Sequence, residues 1–255
     1  MINPACRKII CNRVFIPALF IVFAIGRVMG QPMDSAVLST QKVFYSLEEA
    51  MKNPDNVYRL NLQKKKLSEI PAGVFKLKNL QELQLSRNKI SVLPEEISSL
   101  KYLQILDLSS NRLVTLPEKM CELTDLRVLN FAHNKIEAMP ANIGNLDKLR
   151  ILNMAVNKLV VLPESIGNLA NLKYLVINRN NINEFPETIG GMKSLYYLDI
   201  WGSNITRFSD DVSKLKYSLK FLDMRVITMR PEYQEAIQEQ LPNTEIYFSK
   251  PCNCN

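Results

Sequence analysis

Two aspartates, Asp199 and Asp223, stand 24 residues apart and follow matching leucines, Leu198 and Leu222. If the two sites are equivalent places on adjacent strands, their carboxylates come within ~5 Å. At that separation one carboxylate can act as nucleophile and the other as acid and base in retaining glycoside hydrolysis. Tyr196, Tyr197 and Trp201, the only tryptophan of the chain, lie beside Asp199 and would suit a sugar. Against catalysis, Arg225 is placed to neutralise the pair, and an open sheet gives no enclosed pocket. His133 is the single histidine and falls in a turn, where a solvated or capping role is expected. Cys252-Asn253-Cys254 is too short to hold zinc alone, and no other Cys/His cluster completes a site. The chain is expected to be non-enzymatic, with no metal and no cofactor.

The elements that place these residues follow from internal repetition. Cuts at Val57, Leu80, Leu103, Leu126, Leu149, Leu172 and Leu195 give six consecutive segments of 23 residues. A segment of 24 then leads to Leu219, and a degenerate one of 25 leads to Thr244. The shared pattern is L-x-x-L-x-L-x-x-N-x-[LI]-x-x-[LF]-P-x-x-[IV]-x-x-L-x-x. Its L-x-L part alternates with period two, so Leu83 and Leu85 point inward while Glu82 and Gln84 point outward. Each repeat thus offers one short strand, and successive strands stack in parallel. Seven apolar positions fill the interior, in the second repeat Leu80, Leu83, Leu85, Ile90, Leu93, Ile97 and Leu100. The proline at the fifteenth position, often followed by acids as in Pro94-Glu95-Glu96, opens a short helical turn.

This pattern resembles the leucine-rich repeat family, in the type with L-P-x-x-I-x-x-L in its second half, and it is similar to secreted bacterial members. The resemblance implies an α/β solenoid, or horseshoe, with a parallel concave sheet and short convex helical turns. It also implies that Asn88, Asn111, Asn134, Asn157 and Asn180, at the ninth position, form an internal ladder bonded to backbone groups of the turns. Lys65, Ser203 and Ile227 replace asparagine at the ends, so those repeats should be the least regular.

Function is then sought on the concave face, where outward positions align into columns. The third position runs Ile105, Val128, Ile151, Tyr174, Tyr197 and Phe221, an apolar stripe that turns aromatic toward the C-terminus. Arg150, Lys173 and Tyr196 occupy the second position, Asp199 the fifth and Trp201 the seventh. Aromatics rimmed by cations have the composition of binding hot spots. The candidate binding site is therefore Tyr174, Tyr196, Tyr197, Trp201, Phe221, Lys173, Arg150 and Asp199. The competing reading, that these aromatics simply cover weak terminal repeats, stays open. A second column, Lys66, Lys89, Arg112, Lys135 and Lys158, could grip an anionic polymer, but recurring acids (Glu95, Glu118, Glu164, Glu187) make a solvated edge the better reading. The favoured partner is another protein, with an extracellular or cell-surface glycan or an adhesive structural role as alternatives.

Both ends need covers. Ser46 and Glu49 form a capping box in SLEEAMKN, a helical N-terminal cap, and PEYQEAIQEQL from Pro231 is an amphipathic helix at the other end. Residues 31–42 look like a flexible leader, and 244–249 like a last strand. Residues 1–30 have the basic, then apolar, then small-residue order of an export signal, with cleavage expected near Gly30. The domains are thus 1–30 signal, 31–56 leader and cap, 57–243 repeats, and 244–255 strand and tail. A secreted or cell-surface location follows, with no membrane span after cleavage. The net charge is +7, but Arg7, Lys8, Arg13 and Arg27 hold four of these, leaving too small an excess to imply nucleic acid. Of the remaining cysteines, Cys121 is placed on the convex side, far from the tail pair. Asn204-Ile205-Thr206 is a glycosylation sequon, meaningful only in a eukaryotic secretory pathway. The lack of Cys-rich caps favours a bacterial source.

Overall fold

The computed structural model describes residues 31–205, 207–227 and 230–248. The export signal, the tail cysteines and Thr206 of the sequon lie outside them.

Ten strands form one open parallel sheet in chain order: β1 (Val43–Phe44), β2 (Arg59–Asn61), β3 (Glu82–Gln84), β4 (Ile105–Asp107), β5 (Val128–Asn130), β6 (Ile151–Asn153), β7 (Tyr174–Val176), β8 (Tyr197–Asp199), β9 (Phe221–Asp223) and β10 (Glu245–Tyr247). Eight of these, β2 to β9, are the repeat strands. The registers join equivalent repeat positions, for example Ile151 to Tyr174, Tyr174 to Tyr197, and Tyr197 to Phe221. On the opposite side each chain reversal is a short 3-10 turn, such as Glu95–Ser99 and Glu164–Asn168. Pro94 and Pro163 precede these two in extended conformation. Proline has no N–H to leave unsatisfied and its fixed φ suits that junction.

The interior follows the repeat. Leu80, Leu83, Leu85, Ile90, Ile97 and Leu100 are fully buried and Leu93 is 3% exposed. Each such side chain contributes roughly 1.5–3 kcal/mol by leaving water. The asparagine ladder supplies the polar counterpart. Asn134 Nδ2 donates to the carbonyls of Leu108 (3.0 Å) and Phe131 (2.9 Å), and its Oδ1 accepts from Leu113 N (3.0 Å). Asn88, Asn111, Asn157 and Asn180 repeat this bonding, so each carboxamide ties two coils together and satisfies buried amides. At Ser203 the ladder stops: its hydroxyl is buried and has no hydrogen-bond partner among the described residues. The residue before each ladder position adopts left-handed backbone, with φ 58° at Arg87, 57° at His133, 52° at Arg179 and 64° at Gly202. His133 is accordingly an exposed turn residue.

Convex turns approach one another closely in the fourth to sixth repeats. A Cβ on Gly144 would stand 2.1 Å from the Ser165 carbonyl oxygen, and one on Gly167 2.2 Å from that of Thr188. Only glycine fits such backbone contact.

Both covers form. At the C-terminus, α3 (Pro231–Gln240) buries Ile237 and leads to β10. Ser46 Oγ accepts from Glu49 N at the start of α2 (Leu47–Ala50), half of the expected capping box, while the Glu49 carboxylate pairs with Lys42 (2.8 Å) rather than with Ser46 N. The cap is larger than the sequence indicates, because β1 adds a strand to the sheet edge ahead of that helix. The expectation of a flexible leader at 31–42 is wrong. Asp34 caps helix α1 (Ser35–Thr40) by accepting from Ala36 N (2.8 Å), and Leu38 is 2% exposed yet lies outside the main core. The segment is folded against the sheet.

Candidate functional site

The stripe at the third repeat position exists as a surface, because the ladder of strand pairs puts Ile105, Val128, Ile151, Tyr174, Tyr197 and Phe221 side by side. Each is half-buried. Four of the expected aromatics touch. Tyr174 meets Tyr196 edge-on at 6.1 Å between ring centroids and Tyr197 at 6.4 Å, and Tyr196 meets Phe221 edge-on at 5.4 Å. Edge-to-face contacts between rings are attractive and fix their relative orientation. Tyr196 remains 40% exposed, and Arg150 and Lys173, which precede it in the same column, are exposed as well.

Trp201 does not join this cluster. It lies four residues beyond Tyr197, about 13 Å along an extended chain, under the guanidinium of Arg179 at 5.3 Å from the ring centroid. Asp199 also departs from expectation: it belongs to the concave column but is only 7% exposed, so it offers little surface to a ligand. Its Oδ1 accepts from Trp201 N (3.1 Å) and its Oδ2 from Asn178 Nδ2 (2.6 Å). Burial raises its pKa to about 6; the bonds from Asn178 and Trp201 oppose that rise, and the like charge of Asp223 adds to it. Asp223 is paired across the strand with Asp199 and is held by Arg225 through Nε (2.9 Å) and Nη2 (2.5 Å). Both carboxylates thus end their strands in the way Asn130 and Asn153 do, by accepting the N–H two residues on.

Sequence reasoning misses several members of this face. Ala132, Ala155 and Val176 form a small apolar cluster with Val156 and Tyr197, next to the aromatic patch. The signal was available, since small or apolar residues replace polar ones at the fifth and seventh positions there. Arg179 and Asn178, which set Trp201 and Asp199, carry no pattern signal of their own.

A larger omission is the cover on the first half of the face. The chain from Gln31 to Ser35 crosses the edge of the sheet, held by second-position side chains. Gln81 accepts from Met33 N (2.8 Å) and donates to the Gln31 carbonyl (3.3 Å). Gln104 Nε2 donates to the Met33 carbonyl (2.8 Å), and Arg127 donates to Ser35 Oγ (2.7 Å). Arg59 then holds the carbonyls of Ser39 (2.8 Å) and Gln41 (3.3 Å) as the segment returns to β1. Gln81 and Gln104 are 1% exposed beneath this strap. Along the second-position column the surface is therefore open from Arg150 toward the C-terminus.

The remaining sequence candidates lie elsewhere. Lys66, Lys89, Arg112, Lys135 and Lys158 are exposed, with Lys158 3.8 Å from Glu137. Cys121 is a buried free thiol, and burial pushes its pKa up to about 12, which keeps it protonated and unreactive. No helix among the described residues is long and apolar enough to cross a membrane.

Comparison with known proteins agrees with this architecture. A family model described as a leucine-rich repeat region matches residues 72–158 and 118–245. A leucine-rich repeat protein of Leptospira interrogans superposes with a TM-score of 0.70 at 31% identity, over 82% of this chain and 58% of that one. An internalin of Listeria monocytogenes superposes with a TM-score of 0.70 at 17% identity, over 85% and 71% of the two chains. The plant peptide hormone receptor RGFR1, solved in complex with RGF2, gives 0.65 at 23% identity, over 86% of this chain and 38% of the receptor. The last two show a shared fold alone, and the chain spans less than two thirds of the Leptospira and plant chains. No curated protein matches the sequence. With the repeat, the open parallel sheet and the family match covering most of its length, the chain belongs to the leucine-rich repeat family.

Proposed function

We propose that this is a secreted or cell-surface recognition protein that binds a partner protein through its concave face. The family's fold commonly serves as a protein-binding scaffold, and the plant receptor above is one whose solved structure holds a peptide hormone. The observation that carries the reading is the aromatic patch of Tyr174, Tyr196, Tyr197 and Phe221, joined by two edge-on ring contacts and one tilted one yet open to solvent at Tyr196. A rigid aromatic surface loses little side-chain entropy when a partner covers it, which is why such groups dominate binding energy. Arg150 and Lys173 supply a cationic rim.

The test is capture of a partner from the native extracellular milieu with the chain and with a Tyr196→Ala variant. Loss of the captured protein at an unchanged melting temperature supports the site. Undiminished capture by the variant would remove the aromatic patch from consideration.

A further inference from the structure

The strap shows how the sheet edge handles an extended chain. Gln81 presents its carboxamide to one segment of main chain as another strand would, taking the Met33 N–H and bonding the Gln31 carbonyl. Gln104 takes the next carbonyl, and its own Oε1 is buried without a partner among the described residues. The strap thus advances from the second repeat to the fourth within five residues, Gln31 to Ser35, an extended chain crossing the strands.

At Arg127 two things change together. The strap turns away into α1, and the second-position column changes from carboxamides to cations: Arg127, Arg150, Lys173. Arg127 is taken up by Ser35, whereas Arg150 and Lys173 are exposed and form no ion pair among the described residues. Carboxylates of the same part of the sheet are engaged elsewhere, Asp125 with Lys148 (2.7 Å), Asp199 with Asn178, and Asp223 with Arg225. One step inward, the neighbouring column is apolar: Val128, Ile151, Tyr174.

We infer that this free half of the edge binds an extended, acidic segment of a partner protein, in continuation of the path the strap follows. Alternate side chains of an extended chain point to opposite sides. One set then places carboxylates against Arg150 and Lys173, beyond the Arg127 that the strap itself engages, and the other lays apolar groups on Val128, Ile151 and Tyr174. The segment recognised is one in which acidic and apolar residues alternate. The inference rests on the concave-face recognition proposed above and names the chemistry of its partner.

The probe is a fluorescein-labelled heptapeptide alternating glutamate with valine, followed by anisotropy, beside the same peptide with glutamine for glutamate. Binding of the glutamate peptide is expected to weaken about tenfold with the glutamine peptide, with Arg150→Gln/Lys173→Gln, and on raising salt from low to high ionic strength. The replaced side chains are exposed, so the double variant should melt with the wild-type chain. Failure of the glutamate peptide to bind, equal binding of the glutamine peptide, or unchanged binding by the double variant each overturns the inference. So does binding of dextran sulfate without the peptide, which would assign the cations to an anionic glycan. If the native partner is lost on Tyr196→Ala but kept on Arg150→Gln/Lys173→Gln, the acidic segment fails while concave recognition stands.

Discussion

At the scale of single residues, Asp199 sets a pH dependence with a definite sign. Its carboxyl titrates at about 6 in the folded chain against 3.8 for the ordinary group, so the folded state holds the proton more tightly than the unfolded state does. The cost of ionising it is absent at acid pH, grows as pH rises through that interval, and is complete above it. Asp199→Asn removes that cost and keeps the strand-ending bond that Asn130 and Asn153 make with neutral carboxamides, with the Asn178 carboxamide turned to present its oxygen to the new NH2. The variant is expected to gain on the order of 2 kcal/mol at pH 7 and nothing near pH 4, read from urea unfolding at both. A gain independent of pH would mean that the charge of Asp199 is not what the site strains against. The sequence placed Asp199 in its column correctly, but burial depends on where Asn178, Arg225 and Trp201 direct their side chains. No periodicity encodes that.

At the scale of elements, the strap from Gln31 to Thr40 is the part that sequence patterning could not reveal. A helix of six residues with one buried apolar side chain, Leu38, makes no run at 3.6-residue spacing. Apart from Ser35 Oγ, which accepts from Arg127, its anchors are hydrogen bonds to main chain, which any residue type can offer. Leu38→Asp is expected to release the segment, so that a protease cuts within residues 31–42 in the variant and not in the parent. The main thermal transition should move little, since Leu38 is outside the principal core. Protease resistance equal to the parent would show that the hydrogen bonds from Gln81, Gln104 and Arg59 suffice. The caps were legible for the opposite reason. Ser46 with Glu49, and Pro231 at the head of an amphipathic helix, are local signals that need no knowledge of the surroundings.

At the scale of the whole molecule, stability passes from repeat to neighbouring repeat, and the asparagine ladder is one carrier of that coupling. Its positions were legible because one residue type recurs in register with seven apolar ones, and its role was what the resemblance to the family implied. Where it ends, the Ser203 hydroxyl has no hydrogen-bond partner among the described residues. Ser203→Asn would let a carboxamide reach the carbonyls of Ile177 and Ile200 and accept from Ile182 N, as its five counterparts do. A gain of about 1 kcal/mol, or roughly 2–4 °C in melting temperature, is expected, and a fall would show that the seventh turn is too narrow for asparagine. The glycines of the convex turns act over the same distance by another route. Backbone hydrogen bonding fixes the inner rim at ~4.8 Å per repeat, whereas at Gly144 and Gly167 the outer rim has closed down onto the next carbonyl. A stack bends only as far as its outer rim exceeds its inner one. Side-chain volume at this one repeat position therefore acts as the dial for the radius of the arc, and with it for the width of the hollow a partner must fill.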